Sequence, residues 1–147
     1  MIIWLTGQPG SGKTTIANEL IKIKGLTDSF LIDGDKIRDL FNNKDYSENG
    51  RRDNVDLAQS LAYYLNNNFK NVVVSMVSPY RDQREMFKEK IGDNIIELYI
   101  HTNEIRGKEN FHTNDYQPPL NNYVDVDTTN KNITETIEYI KTKIPLN

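Results

Sequence analysis

The sequence predicts an α/β fold: a parallel sheet of five strands with helices on both of its faces. Three observations predict it. Short apolar, β-branched runs alternate with segments of helical period from one end of the chain to the other. The most apolar run, Val72-Val73-Val74-Ser75-Met76-Val77, shows no regular polar alternation, as expected of a strand buried on both faces. The stretch Gly7-Gln8-Pro9-Gly10-Ser11-Gly12-Lys13-Thr14-Thr15 lies between the first strand and the first helix and matches GxxxxGK[ST] at Gly7, Gly12, Lys13 and Thr14.

Each element follows from its own residues. Ile2 to Thr6 reads as the first strand, and Thr15 to Lys24, with Ile16, Leu20, Ile21 and Ile23, as the first helix. Phe30-Leu31-Ile32 is a second strand running into Asp33-Gly34-Asp35, and Lys36 to Asn42 a short helix. Asn42 to Gly50 is polar and loop-like. Arg51 to Asn68 carries Val55, Leu57, Ala58, Leu61, Ala62 and Leu65 as a core-facing helical stripe. After the Val72 to Val77 strand come a helix over Arg81 to Ile91 and a strand over Ile95 to Ile100. Tyr123 to Asp127 is a weaker fifth strand, and Asn132 to Ile144 a closing amphipathic helix. Thr102 to Pro119 is polar and aperiodic, too long for a simple connection, and reads as a functional, lid-like segment.

A phosphate loop that opens such a sheet gives the P-loop three-layer α/β/α sandwich. Backbone N–H groups of Gly7, Gly10, Ser11, Gly12, Lys13, Thr14 and Thr15 would cradle phosphates at a helix N-terminus. Lys13 would reach the β- and γ-phosphates of ATP, and the Thr14 hydroxyl would ligate Mg²⁺. Ligands bind beyond the carboxyl ends of the strands in sheets of this kind, so the chemistry belongs in the loops that follow them.

The chain of 147 residues is expected to form one domain, 1–147. It has no cysteine, which removes disulfides and thiolate metal sites. Net charge is −3 with scattered Lys and Arg, so no nucleic-acid surface is expected. Met1 leads straight into the first strand and no apolar run has membrane-span length, so a cytoplasmic protein without a membrane partner is expected. Oligomeric state is not legible; a homodimer is left open.

Asp33 and Asp35 follow the second strand and belong at the active edge of the sheet. Phosphoryl transfer needs a carboxylate beside the attacking hydroxyl and often another near Mg²⁺. Asp35 is the candidate for the hydroxyl and Asp33 for the metal; the bland reading is a turn and a helix cap. Arg38 lies one helical turn after Asp35. Arg51, Arg52 and Asn54 open the long helix, where a guanidinium can pair with phosphate or sulfate, or simply be solvated. Tyr46 and Phe111 sit in polar loops, where they anchor local packing or sandwich a base. Ser78, in Ser78-Pro79-Tyr80-Arg81, binds phosphate or caps the next helix. His101 and His112 lack partners at metal-ligand spacing, and Trp4, Tyr63 and Tyr64 read as packing residues.

In order and spacing, the phosphate loop, Ile32-Asp33-Gly34-Asp35-Lys36-Ile37-Arg38, Tyr46-Ser47, Arg51-Arg52-Asp53-Asn54, Val77-Ser78-Pro79-Tyr80-Arg81, Lys108 to Tyr116 and Val124 to Thr128 resemble the adenylyl-sulfate kinase family over nearly the whole chain. That family transfers the γ-phosphoryl group of ATP to the ribose 3′-hydroxyl of adenylyl sulfate. The resemblance implies Asp35 beside the accepting hydroxyl, Arg38, Arg51 and Asn54 gripping the acceptor nucleotide, Tyr46 and Phe111 stacking on its base, and Ser78 beside the substrate. Two features depart from the family. The lid before Phe111 is short, with only Arg106, Gly107 and Lys108 left of its customary basic stretch, and Tyr46 stands where Phe is common. Both fall on the acceptor side. A related enzyme type, the cytidine diphosphoramidate kinase of capsule biosynthesis, acts on a cytidine nucleotide, so the acceptor base stays open. A regulatory nucleotide switch, the other class considered, would not need the acceptor residues.

Overall fold

The computed structural model describes residues 1–146. Five strands, β1 (Ile2–Thr6), β2 (Phe30–Asp33), β3 (Val72–Ser75), β4 (Ile95–His101) and β5 (Val124–Asp127), form one sheet in the order β2-β3-β1-β4-β5. Every pairing is parallel. The helices are α1 (Lys13–Leu20), α2 (Gly34–Leu40), α3 (Glu48–Asn67), α4 (Arg81–Ile91) and α5 (Ile133–Lys141), with single 3-10 turns at Gly92–Asn94 and Glu109–Phe111. The three-layer α/β/α arrangement with a five-stranded parallel sheet is the one the sequence predicts.

Alternation along the strands builds two cores. Ile2, Trp4, Val72 and Val74 point to one face and pack on Ile37 of α2, Val55, Ala58 and Ala62 of α3, and Phe87 of α4. Ile3, Leu5, Val73, Leu98 and Ile100 point to the other and pack on Ile16, Ala17 and Leu20 of α1 and on Ile140. The central strand β1 is therefore apolar on both faces and wholly buried.

Element boundaries moved where local chemistry competes with periodicity. α1 stops at Leu20, before the β-branched Ile21 and Ile23 and before Gly25 at φ +96°. α3 starts at Glu48, three residues before the expected Arg51, because the Ser47 hydroxyl caps it by accepting from Gly50 N–H at 3.3 Å. β3 leaves the sheet after Ser75 and turns through Ser78 at φ +47°. Tyr64, expected to pack, lies on the solvent side of α3 and is 66% exposed.

The segment after β4 divides in two. Residues 113–122 are stitched over the sheet. Gln117 N–H donates to Pro79 O at 2.9 Å, Arg84 Nη2 donates to Gln117 O, and Lys88 Nζ donates to Asn121 O at 2.9 Å. Arg84 and Lys88 are themselves buried on Glu97, with Arg84 Nε–Glu97 Oε2 at 2.9 Å and Lys88 Nζ–Glu97 Oε1 at 2.8 Å. Residues 104–112 lie outside that stitching, beside the phosphate loop.

Candidate active site

The carboxyl ends of β1, β2 and β3 open into a cavity of about 950 Å³. That is at the upper end of what small-molecule sites enclose. Its wall includes Gly10, Gly12, Lys13, Thr14 and Thr15 on one side. Asp33, Asp35, Arg38, Tyr46, Arg51, Asn54 and Ser78 line the other, and Phe111 closes the rim. Gly7 and Ser11 belong to the same loop but sit behind it. Gly7 approaches β4 so closely that a Cβ would stand 2.1 Å from Ile100 O.

The loop owes its shape to glycine. Gly10 (φ +82°) and Gly12 (φ +107°) occupy backbone space closed to most side chains, and Gly12 is the N-cap of α1 with no side-chain cap of its own. The first N–H groups of α1 are thus left facing the cavity. Lys13 folds back so that Nζ donates to Gln8 O at 3.0 Å. Burial pushes its ammonium down to a pKa of about 8, against the pull of Asp35 and Asp33.

Asp33 ends β2 and starts α2. Its carboxylate accepts from Lys36 N–H at 3.4 Å, so it is a helix cap and a cavity residue together. Burial raises its pKa, with the Lys36 hydrogen bond opposing. Asp35 stands in the first turn of α2. Arg38 is tethered over the Tyr46 ring, with its guanidinium carbon 4.0 Å from the centroid, and donates to Asp45 O at 2.9 Å. Arg51 reaches Asp115 at 3.4 Å. Arg52, next to it, turns away to Asp82 and Glu48 and does not line the cavity. Asn54 is 4% exposed; its Nδ2 donates to Gly34 O at 3.3 Å while its Oδ1 has no partner. Tyr46 and Phe111 keep 63% and 69% of their surface exposed, at the same cavity.

Ser78 does not cap α4. The α4 N-terminus is capped from a distance, where Gln117 Oε1 accepts from Arg81 N–H at 2.9 Å. Ser78 Oγ instead accepts from Trp4 Nε1 at 3.0 Å, and its carbonyl accepts from Arg84 Nη1 at 2.6 Å. Trp4 therefore positions a cavity residue besides filling the core, a role visible only once β1 and β3 are neighbours. Arg106, which also lines the cavity, holds the loop by its backbone carbonyls. It donates to Ser11 O at 3.0 Å and Thr128 O at 3.2 Å and pairs with Glu104. The sequence marks it only as a remnant of the short lid's basic stretch, not as a tie to the phosphate loop. His101 meets Asp125 at 2.8 Å and does not line the cavity.

Among the described residues no group of three or more His, Cys, Asp or Glu side chains could hold a metal ion by itself. The cavity does carry hard oxygen donors, the Thr14 hydroxyl and the Asp33 carboxylate, and an unpartnered buried hydroxyl at Ser75. That set fits Mg²⁺, which binds a few protein oxygens together with phosphates and water.

The adenylylsulphate kinase family model matches residues 1–117. The chain is 38% identical over 106 residues to an adenylyl-sulfate kinase of Buchnera aphidicola subsp. Acyrthosiphon pisum (strain APS), a match covering 69% of this chain and 52% of that protein. It is 35% identical over 105 residues to the bifunctional enzyme NodQ of Rhizobium meliloti (strain 1021), covering 69% of this chain and 16% of that protein. The matches thus span about half of one curated relative and a small part of the other. In fold, the chain resembles the Mycobacterium tuberculosis APS kinase CysC solved with AMPPNP and APS. The TM-score is 0.80 at 21% identity, over 96% of this chain and 95% of that one. Among the described residues no helix is long and apolar enough to cross a membrane. The match of the family model over residues 1–117 shows that the chain belongs to the adenylylsulphate kinase family.

Proposed function

We propose that this chain is an ATP-dependent kinase that transfers the γ-phosphoryl group to the ribose 3′-hydroxyl of adenylyl sulfate. The observation that carries the reading is one cavity with two half-sites: the phosphate loop with Lys13 on one side, and Asp35, Arg38, Arg51, Asn54, Tyr46 and Phe111 on the other. A triphosphate needs only the first. The second has the charge and the aromatic faces of a nucleotide site.

In this reading the loop N–H groups and Lys13 bind the β- and γ-phosphates and oppose the charge that develops as the phosphoryl group moves. Thr14 and Asp33 would hold Mg²⁺, which when bound neutralises phosphate charge. Asp35 accepts a hydrogen bond from the acceptor 3′-hydroxyl and aligns it. The bond from that oxygen to the γ-phosphorus forms as the bond to the β–γ bridging oxygen breaks; the hydroxyl proton passes to the Asp35 carboxylate and on to water, and ADP leaves. Arg38 and Arg51 pair with the anionic 5′ group of the acceptor, Asn54 Oδ1 takes a donor from it, and Tyr46 and Phe111 stack on its base. Held together, the two nucleotides react as one bound pair. This chain's single domain, its ATP and Mg²⁺ use and the residue roles belong to the same proposal.

Adenylyl sulfate is preferred because the matching family and the Buchnera relative are named as adenylyl-sulfate kinases. Two stacking rings accept any base, so cytidine diphosphoramidate is the second acceptor to test. ADP release is the assay: adenylyl sulfate should accelerate it strongly over ATP alone. Equal ADP release with and without either acceptor would leave the protein a nucleotide-binding module rather than a kinase of this class.

A further inference from the structure

Ser75 is the last residue of β3 and lines the cavity. It is 3% exposed, and its hydroxyl has no hydrogen-bond partner in the protein. A buried hydroxyl without a partner is destabilising and uncommon, and it calls for a reason. Val73, two residues earlier on the same strand face, packs in the core with Ile16 and Ala17 of α1. Ser75 therefore faces the side of the sheet that carries α1, whose first turn holds Lys13 and Thr14. Its register partner on β2 is Asp33, on the same face as Leu31, which packs against that core as well. Three oxygen-bearing side chains, of Thr14, Asp33 and Ser75, thus come from three separate elements to one cavity.

We infer that Ser75 is a third protein oxygen of the magnesium site, a hydrogen-bond partner for the water shell of the metal that Thr14 and Asp33 hold. The inference rests on the proposed binding of ATP with Mg²⁺. Mg²⁺ sheds water reluctantly and keeps several molecules when bound. Those waters must themselves be held, and partners of the metal's ligands set its affinity. P-loop enzymes commonly add a carboxylate to the loop hydroxyl at the metal. Here β3 ends in a neutral hydroxyl, and the carboxylate comes from the neighbouring strand as Asp33. Ser75 is a positioning residue in this scheme.

The test uses the full chain with Mn²⁺ and ADP, following free Mn²⁺ by electron paramagnetic resonance. Ser75→Ala should weaken Mn²⁺ in the ADP complex by about tenfold, while ADP affinity measured in EDTA stays unchanged. The metal-free protein should melt at the same temperature or higher, because an unpaired buried hydroxyl has been removed. Ser75→Cys, close in volume but a poor hydrogen-bonder, should show the same loss of metal affinity. Unchanged Mn²⁺ affinity in both variants overturns the inference, as does a lower melting temperature with ADP and Mn²⁺ affinities falling together. If the wild-type chain takes up no Mn²⁺ with ADP, the nucleotide reading falls and this inference falls with it. Normal wild-type uptake with unchanged variants defeats the role of Ser75 alone.

Discussion

Gln8 grips Thr113 with both ends of its side-chain amide: Nε2 donates to Thr113 O at 2.8 Å, and Oε1 accepts from Thr113 N–H at 2.9 Å. The backbone carbonyl of the same glutamine accepts from Lys13 Nζ. One residue of the phosphate loop thus fixes both the lysine of the triphosphate side and the chain two residues after Phe111, on the acceptor side. Gln8→Leu keeps the bulk and removes both amide bonds, leaving a buried backbone pair at Thr113 unsatisfied. A cost of about 1–3 kcal/mol is expected in urea unfolding. In steady-state kinetics the KM of the acceptor should rise by more than that of ATP. Equal rises in both would mean that the clasp serves only the fold.

Lys13 gives a pH signature. Its folded pKa of about 8 lies below the ordinary 10.5, so between those values the unfolded chain binds more protons than the folded one. Stability of the ligand-free protein should therefore rise with pH across that window, by about 3 kcal/mol at most. Below pH 8 the burial penalty is carried in full. Lys13→Met should flatten this slope, which melting curves from pH 7.5 to about 10 would detect. ADP affinity should move the opposite way, falling above about pH 8 as the free protein loses the charge that binds phosphate.

The buried ions of α4 and β4 should matter more than any surface pair. Glu97→Gln leaves Arg84 buried without its counter-charge and Lys88 with only the part-exposed Glu85, and about 3–5 kcal/mol of stability should be lost. Glu19→Gln, which breaks the exposed pair with Lys22, should change stability by less than about 1 kcal/mol. Comparing the two unfolding midpoints checks the ranking.

Two glycines separate close approach from backbone strain. An added Cβ at Gly7 would stand 2.1 Å from a β4 carbonyl, so Gly7→Ala must push the phosphate loop off the sheet edge. Both melting temperature and ADP affinity should fall. Gly107 sits at φ +82° with nothing within 4 Å of the added atom. Gly107→Ala should cost only the left-handed backbone penalty of about 1–2 kcal/mol and leave ADP affinity unchanged.

The fold was legible because phosphate loop, apolar runs and helical stripes all point to one layer architecture. Element ends were less so. α3 begins at Glu48 because a single serine hydroxyl caps it, and a polar stretch of Asn, Ser and Gly conceals that start. The cavity residues could be named from the loops that follow strands, since parallel strands bring those loops to one edge. What holds them could not. The Gln8–Thr113 clasp, the Trp4–Ser78 bond and the Arg106 bridge join positions 105, 74 and 95 residues apart. Such pairings leave no local pattern. Asp33 shows the converse: helix cap and cavity carboxylate were alternatives in the sequence, and in the structure one carboxylate occupies both positions.

Identifying the phosphorylated product tests the central claim most directly. Wild-type chain with ATP, Mg²⁺ and adenylyl sulfate should yield ADP and a nucleotide whose new phosphomonoester is assigned to the ribose 3′-oxygen by phosphorus–proton correlated NMR, and Asp35→Ala should bind ADP yet form none of it. A phosphoryl group on another atom, release of inorganic phosphate in place of a phosphorylated nucleotide, or full turnover by Asp35→Ala would contradict it.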